Sequence, residues 1–316
     1  MRPFPFSRRC WVSKRDLLDF KGLTIKEIEA LIDRALYFKK NKFTEHESHL
    51  LRGKSIGLFF EKPSTRTRVA FEAAIVRLGG HPIFLTPDNT QTNRGETIAD
   101  TARVLSSYLH AIVIRTFEQT RVVEWAKSAT IPVINGLSDL CHPCQILADF
   151  LTIFERRGHL RGLNLTYIGD DNNIAYSLKE GGAIVGMNVT IVSPKDSAPS
   201  QGNLLNIKKA ATDADILYTD TWVSMGREHE EMRDNMLKAM FHDYQINQQI
   251  VDYAKPDCLV MHCLPAHRGE EITDAVMNGK NSVIFEQAAN RLPMHQAILE
   301  LALRGSSCDS PSSGLQ

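Results

Sequence analysis

The chain has 316 residues, 43% of them hydrophobic, so it is long enough to bury two cores and we expect two domains of similar size. Its 37 basic and 37 acidic residues cancel, which excludes the strongly cationic surface that attracts nucleic acid or anionic membranes. Apolar runs such as 55–60 are far shorter than the roughly 20 residues that span a bilayer, so we predict neither a membrane nor a nucleic-acid partner.

The chain ends and the cysteines bear on location. The stretch before the first acid, Asp16, carries five basic residues but is short and has few hydroxyl groups. We therefore interpret it as a mobile start rather than a transit peptide. Segment 305–316 is rich in Ser, Gly and Pro and is predicted to be disordered. Six scattered cysteines without a secretory apolar segment favour a reduced, cytoplasmic setting.

From Ser55 onward, β-rich runs alternate with segments of helical period, which is typical of parallel α/β architecture. The first series has predicted strands at 55–60, 82–85, 111–115 and 132–135, with helices between them at 65–78, 97–109 and 121–129. A helix at 145–157 joins this series to the second. The second series has predicted strands at 164–168, 188–192, 216–219, 259–262 and 282–285.

A last helix, about 287–303, has apolar positions at helical spacing and could pack on either half. The predicted fold class is α/β, with two doubly wound domains, each a central parallel sheet flanked by helices. Ligands of such sheets bind beyond the carboxyl ends of the strands. The active site is therefore expected in the cleft between the two domains.

The turn after the first strand has the residues of an anion site. The segment Glu61-Lys62-Pro63-Ser64-Thr65-Arg66-Thr67-Arg68 leads into a helix, with Ser64 or Thr65 as the N-cap. Free backbone N–H groups, hydroxyls and guanidinium groups meet there, as a phosphate requires. An ordinary capped helix with solvated arginines is the alternative that these residues alone leave open.

Further polar residues follow other predicted strands. Arg115 ends one strand, and His142-Pro143-Cys144-Gln145 follows the next. In the second half, Gly169-Asp170-Asp171-Asn172-Asn173 replaces the Gly-x-Gly-x-x-Gly fingerprint, which disfavours nicotinamide binding. Asp220 offers a carboxylate to a cation, and 262–270 brings a thiol, two imidazoles and an arginine together.

These motifs resemble those of the ornithine carbamoyltransferase family. The likeness runs from about Ser13 to Arg304 and rests on four motifs in the family's order: Ser64-Thr65-Arg66-Thr67-Arg68, His142-Pro143-Cys144-Gln145, Asp220-x-x-x-Ser224-Met225-Gly226 and His262-Cys263-Leu264-Pro265. The Ser-Met-Gly loop and the His-Cys-Leu-Pro turn resemble the ornithine branch. An aspartate carbamoyltransferase is expected to carry a His-Pro-Leu-Pro turn and a basic substrate loop instead.

The resemblance implies transfer of the carbamoyl group from carbamoyl phosphate to the side-chain amine of L-ornithine, giving L-citrulline and phosphate in arginine biosynthesis. It implies a carbamoyl phosphate-binding domain at 1–145, an ornithine-binding domain at 146–286, and a helix at 287–304 that packs back on the first domain. It also implies a homotrimer, or a multiple of trimers, with active sites at subunit boundaries. No cofactor and no metal are expected. The alternative is another amine acceptor, such as putrescine or an N-acylated ornithine.

The resemblance also assigns roles residue by residue. The implied carbamoyl phosphate contacts are Ser64, Thr65, Arg66, Thr67, Gln91, Arg115, His142, Gln145, Cys263, Leu264 and Arg291, with Gln91 in a loop, 91–96, lent by a neighbouring subunit. The implied ornithine contacts are Asn173, Asp220, Ser224 and Met225. The implied catalytic residues are Arg115, His142, Asp220, Cys263 and Arg268. The chain departs from the family pattern at Thr92-Asn93, Tyr176 and Ala289.

Three other interpretations are weaker. Cys141-His142-Pro143-Cys144 has the spacing of a thiol–disulfide oxidoreductase, although it explains none of the other motifs. A structural zinc held by Cys141, Cys144, His262 and Cys263 lacks two clean ligand pairs. A binding-only relative on the same fold would not need every proposed catalytic side chain, all of which the chain retains.

Overall fold

The computed structural model describes residues 14–40, 47–194, 202–222 and 241–304, and it contains two four-stranded parallel sheets. The first sheet has the order β2-β1-β3-β4 and consists of β1 (Ser55–Phe60), β2 (His81–Leu85), β3 (Ala111–Arg115) and β4 (Val133–Leu137). The second has the order β6-β5-β7-β8 and consists of β5 (Asn164–Ile168), β6 (Asn188–Val192), β7 (Ile216–Thr219) and β8 (Leu259–His262). Helices flank both sheets, which confirms the predicted fold class.

The α-helices lie between the strands and at both ends of the described chain. They are α1 (Ile25–Lys40), α2 (Thr65–Arg77), α3 (Ile98–Ser106), α4 (Gln119–Ser128), α5 (Pro143–Arg157), α6 (Asn173–Val185), α7 (Gly202–Ala211), α8 (Gln248–Tyr253), α9 (Asp274–Met277) and α10 (Ile284–Arg304). Within these ranges no helix is long and apolar enough to cross a membrane.

Burial explains why the strands read as continuous apolar runs. Every residue of β3 is buried, because this strand lies inside its sheet with helices on both faces. The edge strand β2 is only partly buried. The largest core cluster joins side chains of both sheets with those of α1, α5 and α10, so it lies between the two halves.

One predicted strand, 282–285, is wrong. Only Ser282 forms a β-bridge, with Val260, and the chain enters α10 at Ile284. Ile284 is fully buried whereas Phe285 is 59% exposed, so the apolar run reflects the first turn of a helix. A short apolar run cannot distinguish a buried strand from a buried helix end.

Helix α1 was not predicted, although its buried residues Ile28, Leu31, Ile32 and Ala35 have the spacing of an amphipathic helix.

The C-terminal helix α10 packs against α1, α2 and α5. This packing carries side chains from the end of the chain to the start of α2. The domain boundaries at residues 145 and 286 stay a prediction.

Candidate active site

A cavity of about 360 Å³ lies at the carboxyl ends of both sheets. Its wall contains residues from the ends of β1, β3 and β4 on one side and of β5, β7 and β8 on the other, as expected for two open parallel sheets. The residues of the predicted site that line it are Ser64, Arg66, Thr67, Arg115, His142, Gln145, Asn173, Asp220, Cys263, Leu264 and Arg291.

The start of α2 forms the floor of one side. Ser64 is the N-cap of this helix, and its hydroxyl accepts a hydrogen bond from the Thr67 backbone N–H at 3.3 Å. Arg66 projects from the first turn into the cavity wall. Thr67 is buried, and its hydroxyl oxygen accepts a hydrogen bond of 2.6 Å from the Arg291 guanidinium. The N-terminus of α2 and two arginines therefore face the same space.

Two buried arginines give this side a strong positive charge. Burial and the nearby guanidinium groups of Arg291 and Arg66 lower the pKa of Arg115 to about 9. Burial lowers the pKa of Arg291 to about 10. Both groups remain protonated at neutral pH. Their Nε atoms are buried and have no hydrogen-bond partner among the described residues, so the site has donors in excess of its own acceptors.

His142 stands at the N-cap of α5 and is neutral. Burial, followed by the positive charges of Arg291 and Arg115, lowers the pKa of His142 well below its usual value. Its backbone N–H donates to the Ser177 hydroxyl at 2.9 Å. Its Nδ1 atom is buried and makes no hydrogen bond within the described part of the chain. A neutral imidazole can donate one hydrogen bond without adding charge.

Gln145 is held by a buried carboxylate beneath the cavity. Its side-chain amide donates to Asp149 at 2.8 Å, and Asp149 also accepts from Gln287 at 2.9 Å and from the Tyr218 hydroxyl at 2.8 Å. Burial raises the pKa of Asp149 to about 6. Because the Gln145 NH₂ group points at Asp149, the orientation of its amide is fixed.

The opposite side of the cavity is acidic. Asp220 follows β7, and one of its oxygens accepts from the Asn172 amide at 2.9 Å. The other oxygen accepts from the Cys263 thiol at 3.0 Å. Burial and the charge of Asp220 raise the pKa of Cys263 well above its usual value, so this cysteine is a thiol that donates. Asp170 and Asp171 line the same side.

Two linked hydrogen bonds through the buried His262 ring hold the backbone of the turn after β8. Leu264 has a left-handed backbone with φ of 60°, which is uncommon for a bulky residue. Its N–H donates to Nδ1 of His262 at 2.9 Å, and Nε2 of His262 lies 3.0 Å from a Glu271 oxygen. Because Nδ1 accepts, the ring proton must sit on Nε2 and point at Glu271.

The remaining predicted residues lie elsewhere or outside the described ranges. Thr65 faces a neighbouring surface cavity, and Gln91 lines neither cavity. Arg268 pairs with Asp274 and is not part of the cavity wall. Ser224 and Met225 lie outside the described residues, as do most of the basic start and the tail at 305–316. Asn173 lines the cavity, and its amide donates to the Ser138 carbonyl at 2.7 Å.

Sequence reasoning missed the residues that hold the site in place. Asn172 caps α6 and also donates to Asp220, and its position just after β5 was a usable signal. Asp149 gave no such signal, because two of its partners, Tyr218 and Gln287, come from distant segments. Glu271 lies close in sequence to its partners His262 and His267, but the side-chain contacts within this turn depend on its backbone conformation. The oxidoreductase interpretation loses support, since burial raises the pKa of Cys141 to about 11 and of Cys144 to about 12.

Known proteins resemble this chain over most of its length. Residues 15–155 match the carbamoyl-P binding domain of the aspartate/ornithine carbamoyltransferases, and residues 161–302 match their Asp/Orn binding domain. The anabolic ornithine carbamoyltransferase of Pyrococcus furiosus is 45% identical over 308 residues, covering 92% of this chain and 97% of the relative. The catabolic ornithine carbamoyltransferase of Thermoplasma acidophilum is 46% identical over 305 residues, covering 91% and 98%.

A solved structure of the Pyrococcus furiosus ornithine carbamoyltransferase superposes with a TM-score of 0.84 at 43% identity, covering 94% of this chain and 99% of that one. Identity of this order over both domains exceeds what a shared fold alone produces. The chain therefore belongs to the aspartate/ornithine carbamoyltransferase family, and within it to the ornithine carbamoyltransferases.

Proposed function

We propose that this enzyme transfers the carbamoyl group of carbamoyl phosphate to the side-chain amine of L-ornithine in the cavity between its two sheets. The observation that carries the proposal is the charge polarity of the cavity. Arg66, Arg115 and Arg291 line one side, while Asp170 and Asp220 line the other. A dianionic phosphate matches the first side and an amino group matches the second.

The phosphate half uses the start of α2. The hydroxyls of Ser64, Thr65 and Thr67, together with the N-terminal backbone N–H groups of the helix, supply hydrogen bonds to phosphate oxygens. Arg66 and Arg115 supply the charge. Gln91 acts from the segment 91–96 of a neighbouring subunit, which explains why it does not line the cavity of its own chain.

The carbamoyl group is held by residues that take no part in proton transfer. Neutral His142 and the fixed amide of Gln145 position the carbamoyl group, with Arg291 and the backbone around Cys263 and Leu264 beside it. Arg115 stabilises the oxyanion that forms when the amine attacks, as donors in an oxyanion hole do. Arg268 joins this group only if the turn after β8 moves it away from Asp274.

The ornithine amine must be neutral to attack. Its reference pKa resembles that of lysine, near 10.4, so deprotonation at neutral pH costs about 4 to 5 kcal/mol. The nearby arginines disfavour the protonated amine, and Asp220 with Cys263 positions the nitrogen. Asn173 binds the amino-acid end, and Ser224 and Met225 close over it. The nitrogen forms its bond to the carbonyl carbon, the carbon–oxygen bond to phosphate breaks, and phosphate leaves with the amine proton.

The proposal also covers the oligomeric state, the cellular location and the metabolic direction of the enzyme. Exposed Val69 and Val76 on α2 support a subunit interface next to the phosphate half, and we propose a homotrimer or a multiple of trimers. The neutral net charge and the buried thiols support action in the cytoplasm on small molecules. The relatives include an anabolic and a catabolic enzyme, and arginine biosynthesis is the direction we propose.

Product formation with four amines tests the proposal. Purified enzyme with carbamoyl phosphate should form citrulline from ornithine and give far less product from putrescine, N-acetylornithine or aspartate. Putrescine lacks the carboxylate that Asn173 would bind, and N-acetylornithine lacks the charged α-amine that suits the acidic side of the cavity. Preference for either amine would keep the phosphate half of the proposal and overturn the ornithine half.

A further inference from the structure

One carboxylate oxygen of Glu271 makes no hydrogen bond to any residue that the structure describes. The side chain is fully buried, and its Oε1 atom accepts from Nε2 of His262 at 3.0 Å and from the backbone N–H of His267 at 2.6 Å. Its Oε2 atom is buried and has no hydrogen-bond partner in the described ranges. A buried oxygen that carries part of a negative charge is unfavourable unless a donor or a cation meets it.

Two further ligand atoms surround this oxygen. Nδ1 of His267 lies 3.9 Å from Oε2 of Glu271 and 3.9 Å from Oε2 of Glu270. One ligand atom from each of the three residues lies within 4.8 Å of the other two. The His267 side chain is 52% exposed, so an ion can reach the cluster from solvent and the imidazole can turn toward it.

We propose that His267, Glu270 and Glu271 form a zinc site beside the turn after β8. An imidazole nitrogen with two carboxylate oxygens is a donor set that zinc accepts at about 2.0 to 2.2 Å in tetrahedral geometry. Calcium and magnesium prefer six or more oxygen ligands, which this cluster does not offer. Three protein ligands leave the fourth position to a water molecule on the exposed side.

A second cluster, formed by Asp220, His262 and Cys263, is the competing location. Its ligand atoms are already in use. The Cys263 thiol donates to Asp220, and both ring nitrogens of His262 are engaged, one with Leu264 and one with Glu271. A metal there would have to displace a proton and break these bonds. The proposed site keeps both hydrogen bonds to the Oε1 atom of Glu271, because this residue contributes its other oxygen.

The proposed site is connected to the active-site cavity. Glu271 would bind zinc through Oε2 while its Oε1 atom still accepts from His262, and Nδ1 of His262 holds the backbone of Leu264. Carboxylates commonly link a histidine to a metal in this way. Bound zinc would therefore stabilise the conformation of a turn that lines the cavity, and it would raise the thermal unfolding temperature.

Cobalt binding and thermal unfolding test the proposal on the full-length, tag-free enzyme after treatment with a chelator. Cobalt(II) serves as the spectroscopic probe, and zinc is then added to displace it. The test variants are His267→Ala, at an exposed side chain, and Glu270→Gln, at a partly buried one. His159→Ala, at another exposed histidine, is the matched control, and Cys263→Ser reports on the competing cluster.

We expect one cobalt ion per chain with no thiolate-to-cobalt absorption band, displaced by zinc. His267→Ala and Glu270→Gln should weaken binding at least about 10- to 100-fold and abolish the zinc-induced rise in unfolding temperature. His159→Ala and Cys263→Ser should keep both. Binding that shows the thiolate band and is lost only in Cys263→Ser overturns the proposal, as does the absence of binding to the wild-type enzyme. Neither result depends on which amine the enzyme carbamoylates.

Discussion

Replacing Asp149 with Asn should change how the stability of this enzyme depends on pH. Asp149 is fully buried in α5 and accepts hydrogen bonds from Gln145, Gln287 and Tyr218. Burial raises its pKa from 3.8 to about 6 in the folded state. A carboxyl group with a raised pKa binds its proton more tightly when folded. The folded state therefore loses stability as pH rises from the unfolded pKa through the folded one.

The magnitude follows from the two pKa values. Ionisation of Asp149 costs the folded state about 2 kcal/mol at about pH 5 and about 3 kcal/mol at about pH 7, by linkage between protonation and folding. Asparagine cannot ionise, so the free energy of unfolding of the Asp149→Asn variant should not show this decline with pH. The difference in the free energy of unfolding between variant and wild type should move by about 1 kcal/mol in favour of the variant between these two pH values.

Urea unfolding followed by circular dichroism, at one fixed protein concentration, measures this difference. The absolute stability of the variant can fall, because its amide cannot accept all three hydrogen bonds. This loss of stability is the same at every pH, so the change of the free energy of unfolding with pH reports only on the ionisation of Asp149. Glu118→Gln, at an exposed carboxylate, is the control and should track the wild type. A variant whose unfolding free energy follows the wild-type pH curve would show that Asp149 does not titrate in this range.

Three further substitutions test the two sides of the cavity. Arg66→Ala should lower kcat/KM for carbamoyl phosphate by about 10² to 10³. The control Arg77→Ala, at an exposed side chain at the end of the same helix, should leave kcat/KM unchanged. Normal turnover of Arg66→Ala would contradict the assignment of Arg66 to the phosphate. Asp220→Asn should lower kcat/KM for ornithine by about 10- to 100-fold while carbamoyl phosphate binding, measured by calorimetry, persists. Thr67→Val should lower the free energy of unfolding by about 1 to 3 kcal/mol, because it leaves an Arg291 N–H without its acceptor; an unchanged urea midpoint would contradict this.

The sequence alone determined the sheets and the main site motifs. Strands such as β3 and β5 are buried on both faces, so each reads as a short apolar run with clear ends. Parallel strands place their carboxyl ends at one edge, so polar residues after several strands had to converge. That reasoning predicts that Arg115, His142 and Asp220 lie close together, and all three line the cavity.

Only the tertiary structure decided which groups hold the site and where each element ends. The run at 282–285 became the start of α10, because burial against distant segments rather than local pattern sets the conformation there. The Asp149 network joins residues that are far apart in the chain, and single-sequence patterns carry no signal for such contacts. The Glu271 network lies within the turn 262–271, where the left-handed backbone of Leu264 decides which groups meet. The unpartnered oxygen of Glu271 is likewise a property of packing, since it depends on which donors the folded chain brings within reach.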